Sequence, residues 1–205
     1  MTAPIEVALR RGAQEILGAP LTTEQASQFI KYLELLSKWQ KVQRLVGSSK
    51  PASIVEDLLL DSLLFARVFP APPRTIMDLG SGAGLPGIPL SIVLPEARVT
   101  LVEARQKRAS FLSTAVRELG LHTASVMNSR AEALLPEFER SFHAVVMRCA
   151  GPLVDALPFA SRFVLPGGVV VASGPPMPEP LSEGEWIKVA RPGRGGDRLF
   201  AVLRR

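Results

Sequence analysis

The chain is poor in the residues that form disulfides and many metal sites: its 205 residues include one cysteine and two histidines. A single cysteine, Cys149, excludes a disulfide within the chain and is typical of proteins from a reducing, cytosolic compartment. Cys149 follows an apolar stretch, which favours a buried thiol over a reactive one. His122 and His143 are isolated in the sequence, so no metal site is predicted.

Long hydrophobic runs are also missing. No stretch of about 18 apolar residues lacks a charge, so no membrane-spanning helix is predicted. Residues 1–6 do not show the basic region and apolar core of a secretory signal. These absences predict a cytoplasmic protein that does not enter a membrane.

Acidic residues are fewer than basic ones, 19 against 24, which gives a formal net charge of +5 and a pI near 9.9. This excess favours a polyanionic partner such as nucleic acid. A basic protein without such a partner would show the same totals, so the charge alone leaves both interpretations open.

The N-terminal third of the chain has helical periodicity. A first helix is predicted over residues 5–17, and a second follows Thr22, which forms a capping-box pattern with Gln25. A third helix is predicted from Pro51 to about residue 69. The proline-rich segment 70–73 ends it, so residues 1–70 are predicted to be a helical N-terminal extension.

After residue 74 the pattern changes to alternating strands and helices. This alternation predicts an α/β fold, a doubly wound and mostly parallel sheet over residues 74–205. The last two strands are separated by a short glycine-rich segment, which predicts a hairpin and an antiparallel last strand. The predicted strands are 75–80, 98–103, 123–128, 142–148, 168–173, 186–190 and 198–203, and the helices between them are 87–94, 106–119, 131–137 and 153–163.

A glycine-rich segment directly follows the first predicted strand and reads Asp78-Leu-Gly-Ser-Gly-Ala-Gly-Leu-Pro-Gly87. Glycine allows positive φ angles and a close approach of the backbone to a ligand. A turn of this kind between a strand and a helix is where open α/β sheets hold nucleotide-like ligands.

Two kinds of ligand fit this segment. Gly82, Gly84 and Gly87 match a dinucleotide fingerprint, and Glu103 lies about 20 residues further on, as an acid that accepts ribose hydroxyls should. Asp78 favours S-adenosylmethionine instead, because a carboxylate repels a pyrophosphate and attracts an ammonium or sulfonium group. Glu103 suits either ligand, or a role as the acid at a helix N-terminus.

With its extension Leu85-Pro-Gly-Ile-Pro-Leu90, the segment resembles that of the small-subunit ribosomal RNA guanine-N7 methyltransferases, the family of RsmG (glucose-inhibited division protein B). The resemblance covers nearly the whole chain, including the helical extension. Further matches follow in order: Lys38-Trp39, Leu60-Asp-Ser-Leu63, Pro95-Glu96, Lys107-Arg108 with Phe111-Leu112, Arg130-Ala-Glu132, and Arg148 with Pro152-Leu153.

The resemblance implies a Rossmann-like methyltransferase domain that uses S-adenosylmethionine and methylates N7 of a guanine in 16S ribosomal RNA. It also implies that the partner is small-subunit ribosomal RNA or the small ribosomal subunit. The protein is expected to be a cytoplasmic monomer. The family's cofactor contacts carry over to Gly80, Leu85, Ala131, Glu132 and Arg148. Together with Asp78, Gly82 and Glu103, these form the predicted cofactor site.

Several family positions are changed in this chain: Arg44, Asp57, Leu58, Ser173 and Leu199 stand where the family has other residues. The residues expected to contact the cofactor match the family, whereas several positions expected to face the RNA or another substrate are changed. Two alternatives therefore stay open. The chain could be a diverged methyltransferase with another substrate, or a non-catalytic module that binds S-adenosylmethionine or an adenine dinucleotide.

Methylation of guanine N7 requires no general base, because N7 carries a lone pair and no proton. Arg148 and Glu132 are therefore expected to shape the pocket, with pairing to a nearby acid as the alternative for Arg148. No chemical step is assigned to Asp61, and its side chain could form a hydrogen bond with the local helix backbone. The basic groups expected to meet RNA phosphates are Arg10-Arg11, the helix face with Lys38, Lys41 and Arg44, and the segment 105–108, which lies nearest the cofactor edge.

Overall fold

The fold is seen in a computed structural model, which describes residues 3–47, 50–148, 152–174, 179–192 and 195–205. The predicted buried thiol of Cys149 lies outside these residues. Two helices come first, α1 (Ala3–Leu17) and α2 (Thr23–Gln40). The predicted capping box is confirmed: Thr22 Oγ1 accepts from the Gln25 N–H at 3.1 Å, and Gln25 Oε1 accepts from the Thr22 N–H at 3.0 Å.

The third helical segment is not the single regular helix that its composition predicts. It consists of α3 (Pro51–Ile54), a π-helical turn (Val55–Leu59), α4 (Leu60–Leu63) and a 3₁₀ turn (Leu64–Arg67). In the π turn the Leu60 N–H bonds to the Val55 carbonyl. This extra residue rotates the side chains that follow by about 100° relative to a regular helix.

Seven strands form one sheet in the order β3-β2-β1-β4-β5-β7-β6. The five strands β1 to β5 are parallel, and β7 is antiparallel to both of its neighbours, β5 and β6. The predicted fold class, with its antiparallel last strand, is confirmed. The strands are β1 (Thr75–Leu79), β2 (Arg98–Val102), β3 (Ala124–Met127), β4 (Phe142–Arg148), β5 (Val164–Ser173), β6 (Glu185–Ala190) and β7 (Asp197–Arg204).

The fifth strand begins four residues earlier than its sequence predicts. Val164 pairs with Phe142, and the register then shifts before Val169 pairs with Ala144. The glycines in this strand hid its first half from a pattern-based assignment, because glycine disfavours strands. The connecting helices are α5 (Gly87–Val93), α6 (Gln106–Glu118), α7 (Ala131–Phe138) and α8 (Leu153–Ser161).

The helical extension covers one face of the sheet. Phe29 and Leu33 of α2 belong to the same buried cluster as Ile88 of α5 and Leu112 of α6. The Trp39 ring packs edge-on against Phe111 with centroids 5.5 Å apart. The other face is covered by α7 and α8. Among the described residues, no helix has both the length and the apolar character needed to cross a bilayer.

Candidate active site

The predicted site residues meet at one edge of the sheet. Gly80 follows β1, Glu103 follows β2, Ala131 and Glu132 begin α7 after β3, and Arg148 ends β4. Since β3, β2, β1 and β4 are successive neighbours, these five residues lie along four adjacent strand ends. This is the edge where α/β sheets bind ligands.

The glycine-rich loop has the backbone that its composition predicts. Gly80 and Gly82 have φ values of 71° and 58°, which glycine adopts without strain. Gly80 is exposed, and a Cβ added to it would meet no atom within 4 Å, so the loop is open on this side. Leu85 is 7 % exposed and its side chain belongs to the core, so the loop presents mainly backbone at this position.

Asp78 holds the end of the loop. Its side chain is fully buried, and Oδ2 accepts a hydrogen bond from the Gly87 N–H at 3.0 Å. Oδ1 has no hydrogen-bond partner among the described residues. Burial raises the pKa of Asp78 to about 7, against the opposing effects of the Gly87 N–H, Ser81 and Arg148. The Asp78 side chain therefore stabilises the loop through the Gly87 N–H. Its contact with the ammonium or sulfonium group of a bound ligand stays a prediction.

Glu103 ties the loop to the second strand. Oε2 accepts from the Gly82 N–H at 3.0 Å, and Oε1 accepts from the Arg105 N–H at 2.8 Å at the start of α6. The predicted role at a helix N-terminus is thus present. Each carboxylate oxygen has two acceptor sites, so Glu103 can still receive hydroxyl donors from a ligand.

Tyr32 of α2 is a site residue that the sequence did not reveal. Its hydroxyl donates a 2.5 Å hydrogen bond to the carbonyl oxygen of Ala83, in the glycine-rich loop. The ring is fully buried, and burial followed by the charge of Asp78 raises the pKa of Tyr32 well above its usual value. Tyr32 stands at helical spacing with Phe29, Leu33 and Leu36, a pattern that by itself indicates only a core position. The available signal was the hydroxyl, which needs a partner when buried.

A cluster of the buried Asp61 and the partly buried Arg148 and Arg198 lies beside the loop. Asp61 is 4 % exposed, and its Oδ2 lies 3.5 Å from Arg148 Nη2, while its Oδ1 lies 3.2 Å from Arg198 Nε. Burial lowers the pKa of Arg148, and Asp61 opposes this shift. The expected pairing of Arg148 with an acid is confirmed. The expected local backbone role of Asp61 is wrong, because the carboxylate lies between two arginines from distant strands.

The cluster also joins the C-terminal strands to the site. Arg198 Nη1 donates to the Gly174 carbonyl at 3.4 Å, just beyond the end of β5. Two of the changed family positions lie here: Ser173 is buried and pairs with Arg148 across the strands, and Leu199 follows Arg198. A signal for Asp61 existed in the sequence, since it is a carboxylate within the apolar run 58–64.

The remaining predicted residues have ordinary surroundings. Glu132 is exposed in the first turn of α7, and Ala131 is half-buried beside it. Within the described ranges, no three His, Cys, Asp or Glu side chains are grouped as a metal site requires.

Comparison with known proteins identifies the family. The family model for GidB, described as rRNA small subunit methyltransferase G, matches residues 25–174. The chain belongs to the GidB family. A ribosomal RNA small subunit methyltransferase G from Xanthomonas oryzae is 34 % identical over 209 residues, covering 98 % of this chain and 95 % of the relative. The protein of the same name from Nitratidesulfovibrio vulgaris is 40 % identical over 181 residues, covering 84 % and 82 %.

Solved structures show that this GidB-family chain has a methyltransferase fold. The O-methyltransferase TomG from Streptomyces achromogenes, solved in complex with SAM, matches with a TM-score of 0.56 at 21 % identity, covering 85 % of this chain and 87 % of TomG. A SAM-dependent methyltransferase from Aquifex aeolicus also gives 0.56, at 16 % identity, covering 82 % and 97 %.

Proposed function

We propose that this GidB-family chain transfers a methyl group from S-adenosylmethionine to N7 of a guanine in 16S small-subunit ribosomal RNA. The family match over residues 25–174 carries the proposal. The proposal includes a monomeric enzyme in the cytoplasm, the compartment that holds its RNA substrate.

The residues at the sheet edge fit S-adenosylmethionine. Gly80 leaves open space beside the loop backbone, which suits the approach of the amino-acid part of the cofactor. Glu103 keeps acceptor sites for ribose hydroxyls, and Ala131 with Glu132 would flank the adenine side. Arg148 offers donors to a carboxylate. When bound, the cofactor supplies an electrophilic methyl group on a sulfonium sulfur.

The protein's part in the reaction is alignment. Guanine N7 carries a free lone pair, so no side chain has to remove a proton. Holding two reactants in the right geometry contributes about 7–11 kcal/mol to lowering a barrier. Tyr32, Asp78 and Glu103 fix the loop, and Asp61 fixes Arg148, so the cofactor side of this geometry is set before the RNA arrives.

The test is transfer of labelled methyl from S-adenosylmethionine to 16S ribosomal RNA, or to small subunits that lack the modification. Digestion and chromatography then identify the labelled base. Labelled 7-methylguanine at one nucleotide is the expected result. Binding of S-adenosylmethionine without any transfer would overturn the reaction and support a non-catalytic binding module.

A different methylated substrate is favoured by one observation, the changed residues Ser173 and Leu199 beside the arginine cluster. Transfer to another RNA or to a small molecule, with none to 16S ribosomal RNA, would support it. The resembling family has lysine and histidine at the positions of Ser173 and Leu199. If 16S ribosomal RNA is the substrate, restoring both in the double variant Ser173→Lys and Leu199→His should not increase the rate.

A further inference from the structure

Two segments of the chain carry basic residues and no acidic ones. Residues 35–47 include Lys38, Lys41 and Arg44, and residues 104–116 include Arg105, Lys107 and Arg108. The two segments are about 60 residues apart in the sequence, which presents them as separate groups.

The fold joins these segments into one surface, which we call the basic surface: Lys38, Lys41, Arg44, Arg105, Lys107 and Arg108. The side chain of Gln43 donates a hydrogen bond to the Lys107 carbonyl at 3.1 Å, which fixes the chain after α2 against the first turn of α6. The contact between Trp39 and Phe111 holds the same two helices together one turn further along.

The basic surface continues to the cofactor edge. The guanidinium of Arg108 lies beside Gly82 of the loop, since a Cβ added to Gly82 would be 3.6 Å from Arg108 Nη1. Five of the six side chains are exposed, and Arg108 is half-buried. In the parts of the chain that the structure describes, none of the six pairs with an acidic side chain.

These charges are not used by the fold. Exposed and unpaired cations add repulsion to the folded state and leave their hydrogen-bond donors to solvent or a partner. Arg105, the N-cap residue of α6, makes no capping bond with its side chain, so its guanidinium is not used by the helix. The chemistry that neutralises this arrangement is a chain of phosphates.

We propose that the basic surface binds the sugar–phosphate backbone of the substrate RNA beside the glycine-rich loop. This inference rests on the proposed function and adds the location of the RNA contact. Phosphate contacts set the position and orientation of an RNA without reading its sequence. The surface would therefore bind RNA beside the bound cofactor, whereas the pocket itself selects the base.

The experiment measures binding of in vitro transcribed 16S ribosomal RNA over a range of salt concentrations. The test variant is the double substitution Arg105→Gln and Lys107→Gln, with Lys38→Gln, Lys41→Gln and Arg44→Gln as a second variant. The control is Arg74→Gln with Arg98→Gln, which also removes two exposed charges but lies at the opposite edge of the sheet. S-adenosylmethionine affinity is measured for all variants as a check on folding.

The log of the binding constant falls with log salt by about 0.7–0.9 per phosphate contact. Arg105→Gln with Lys107→Gln should reduce this slope by about 1.5 and weaken binding about tenfold at low salt. The control should match wild type. Unchanged slopes in both test variants would overturn the inference. Binding is also measured with assembled small subunits. Variants that bind these subunits more weakly but bind naked RNA as wild type does would indicate a protein partner and would overturn it as well. If wild type binds no RNA, the proposed function itself fails.

Discussion

The hydroxyl of Tyr32 and the carbonyl oxygen of Ala83 are joined by a buried hydrogen bond, 51 residues apart in sequence. Tyr32 belongs to helix α2, and Ala83 belongs to the glycine-rich loop. A buried carbonyl without a donor costs about 1–3 kcal/mol. Helix α2 therefore helps to hold the loop in one conformation.

Tyr32→Phe should lower both stability and cofactor affinity, because it leaves the Ala83 carbonyl buried and unpaired. We expect the free energy of unfolding to fall by about 1–2 kcal/mol, and S-adenosylmethionine to bind several-fold more weakly by calorimetry. The control is Ser37→Ala, which removes from the same helix a hydroxyl that donates to the Leu33 carbonyl. Equal cofactor affinity in the two variants would show that the Tyr32 bond does not shape the loop.

Asp61→Asn should be more damaging than Arg198→Gln. The first substitution leaves two arginines facing each other without an anion, whereas the second leaves Asp61 and Arg148 as a pair. Breaking a buried ion pair by removing one partner costs about 3–5 kcal/mol, and the partial exposure of the arginines places Asp61→Asn near the lower limit. Urea unfolding and calorimetric titration with S-adenosylmethionine measure both effects. A larger loss for Arg198→Gln would contradict this account of the cluster.

Asp78 should make stability fall as pH rises. Its pKa is about 7 in the folded protein and 3.8 ordinarily, so the folded state holds an additional proton between these values. The contribution of this proton to the free energy of unfolding is fully present below about pH 4 and is lost as pH rises through 7.

Asp78→Asn removes this dependence, while the amide oxygen can still accept from the Gly87 N–H. The measurement is the urea midpoint of each protein at about pH 5 and about pH 8. Wild type should lose more stability over this interval than the variant. Asp155→Asn, at an exposed position of α8, should behave like wild type. An equal change of the urea midpoint between the two pH values in wild type and Asp78→Asn would falsify the raised pKa of Asp78.

Gly80→Ala should weaken cofactor binding more than its effect on stability suggests. A left-handed backbone costs a non-glycine residue about 1–2 kcal/mol, and the added methyl group would occupy space on the open side of the loop. Gly18→Ala is the matched control, since Gly18 has a φ of 74° and also meets no atom within 4 Å. Similar losses of stability are expected, with reduced S-adenosylmethionine affinity only for Gly80→Ala. Equal affinities would place the ligand elsewhere.

The fold was largely predictable because its signals are local. Apolar strands alternate with helices, and the Thr22 capping box marks a helix start within four residues. The π turn at Val55–Leu59 was not predictable, since a run of leucines satisfies a regular helix equally well. The early start of β5 was hidden for a similar reason, as its glycines look like a turn.

The predicted site residues lie together for a topological reason: each lies at the carboxyl end of a parallel strand or in the loop that follows it, and these strands end at one edge of the sheet. Tyr32, Asp61 and Arg198 were missed as members of the site because their contacts join residues far apart in sequence. Tyr32 looks like a core residue until its hydroxyl partner is known. The role of Asp61 depends on Arg198, which the strand order alone brings close. The cofactor contacts themselves stay predictions.

The insertion of β7 between β5 and β6 sets an order of events during protein synthesis. β7 pairs with the edge of β5 and supplies Arg198, so neither the sheet nor the arginine cluster can be completed before residues 197–204 exist. A nascent chain that has already made its glycine-rich loop still exposes an unpaired β5 edge, the kind of surface on which strands of other chains can add. The last strand to be synthesised therefore closes an inner position of the sheet, and the arginine cluster forms only when that strand is in place.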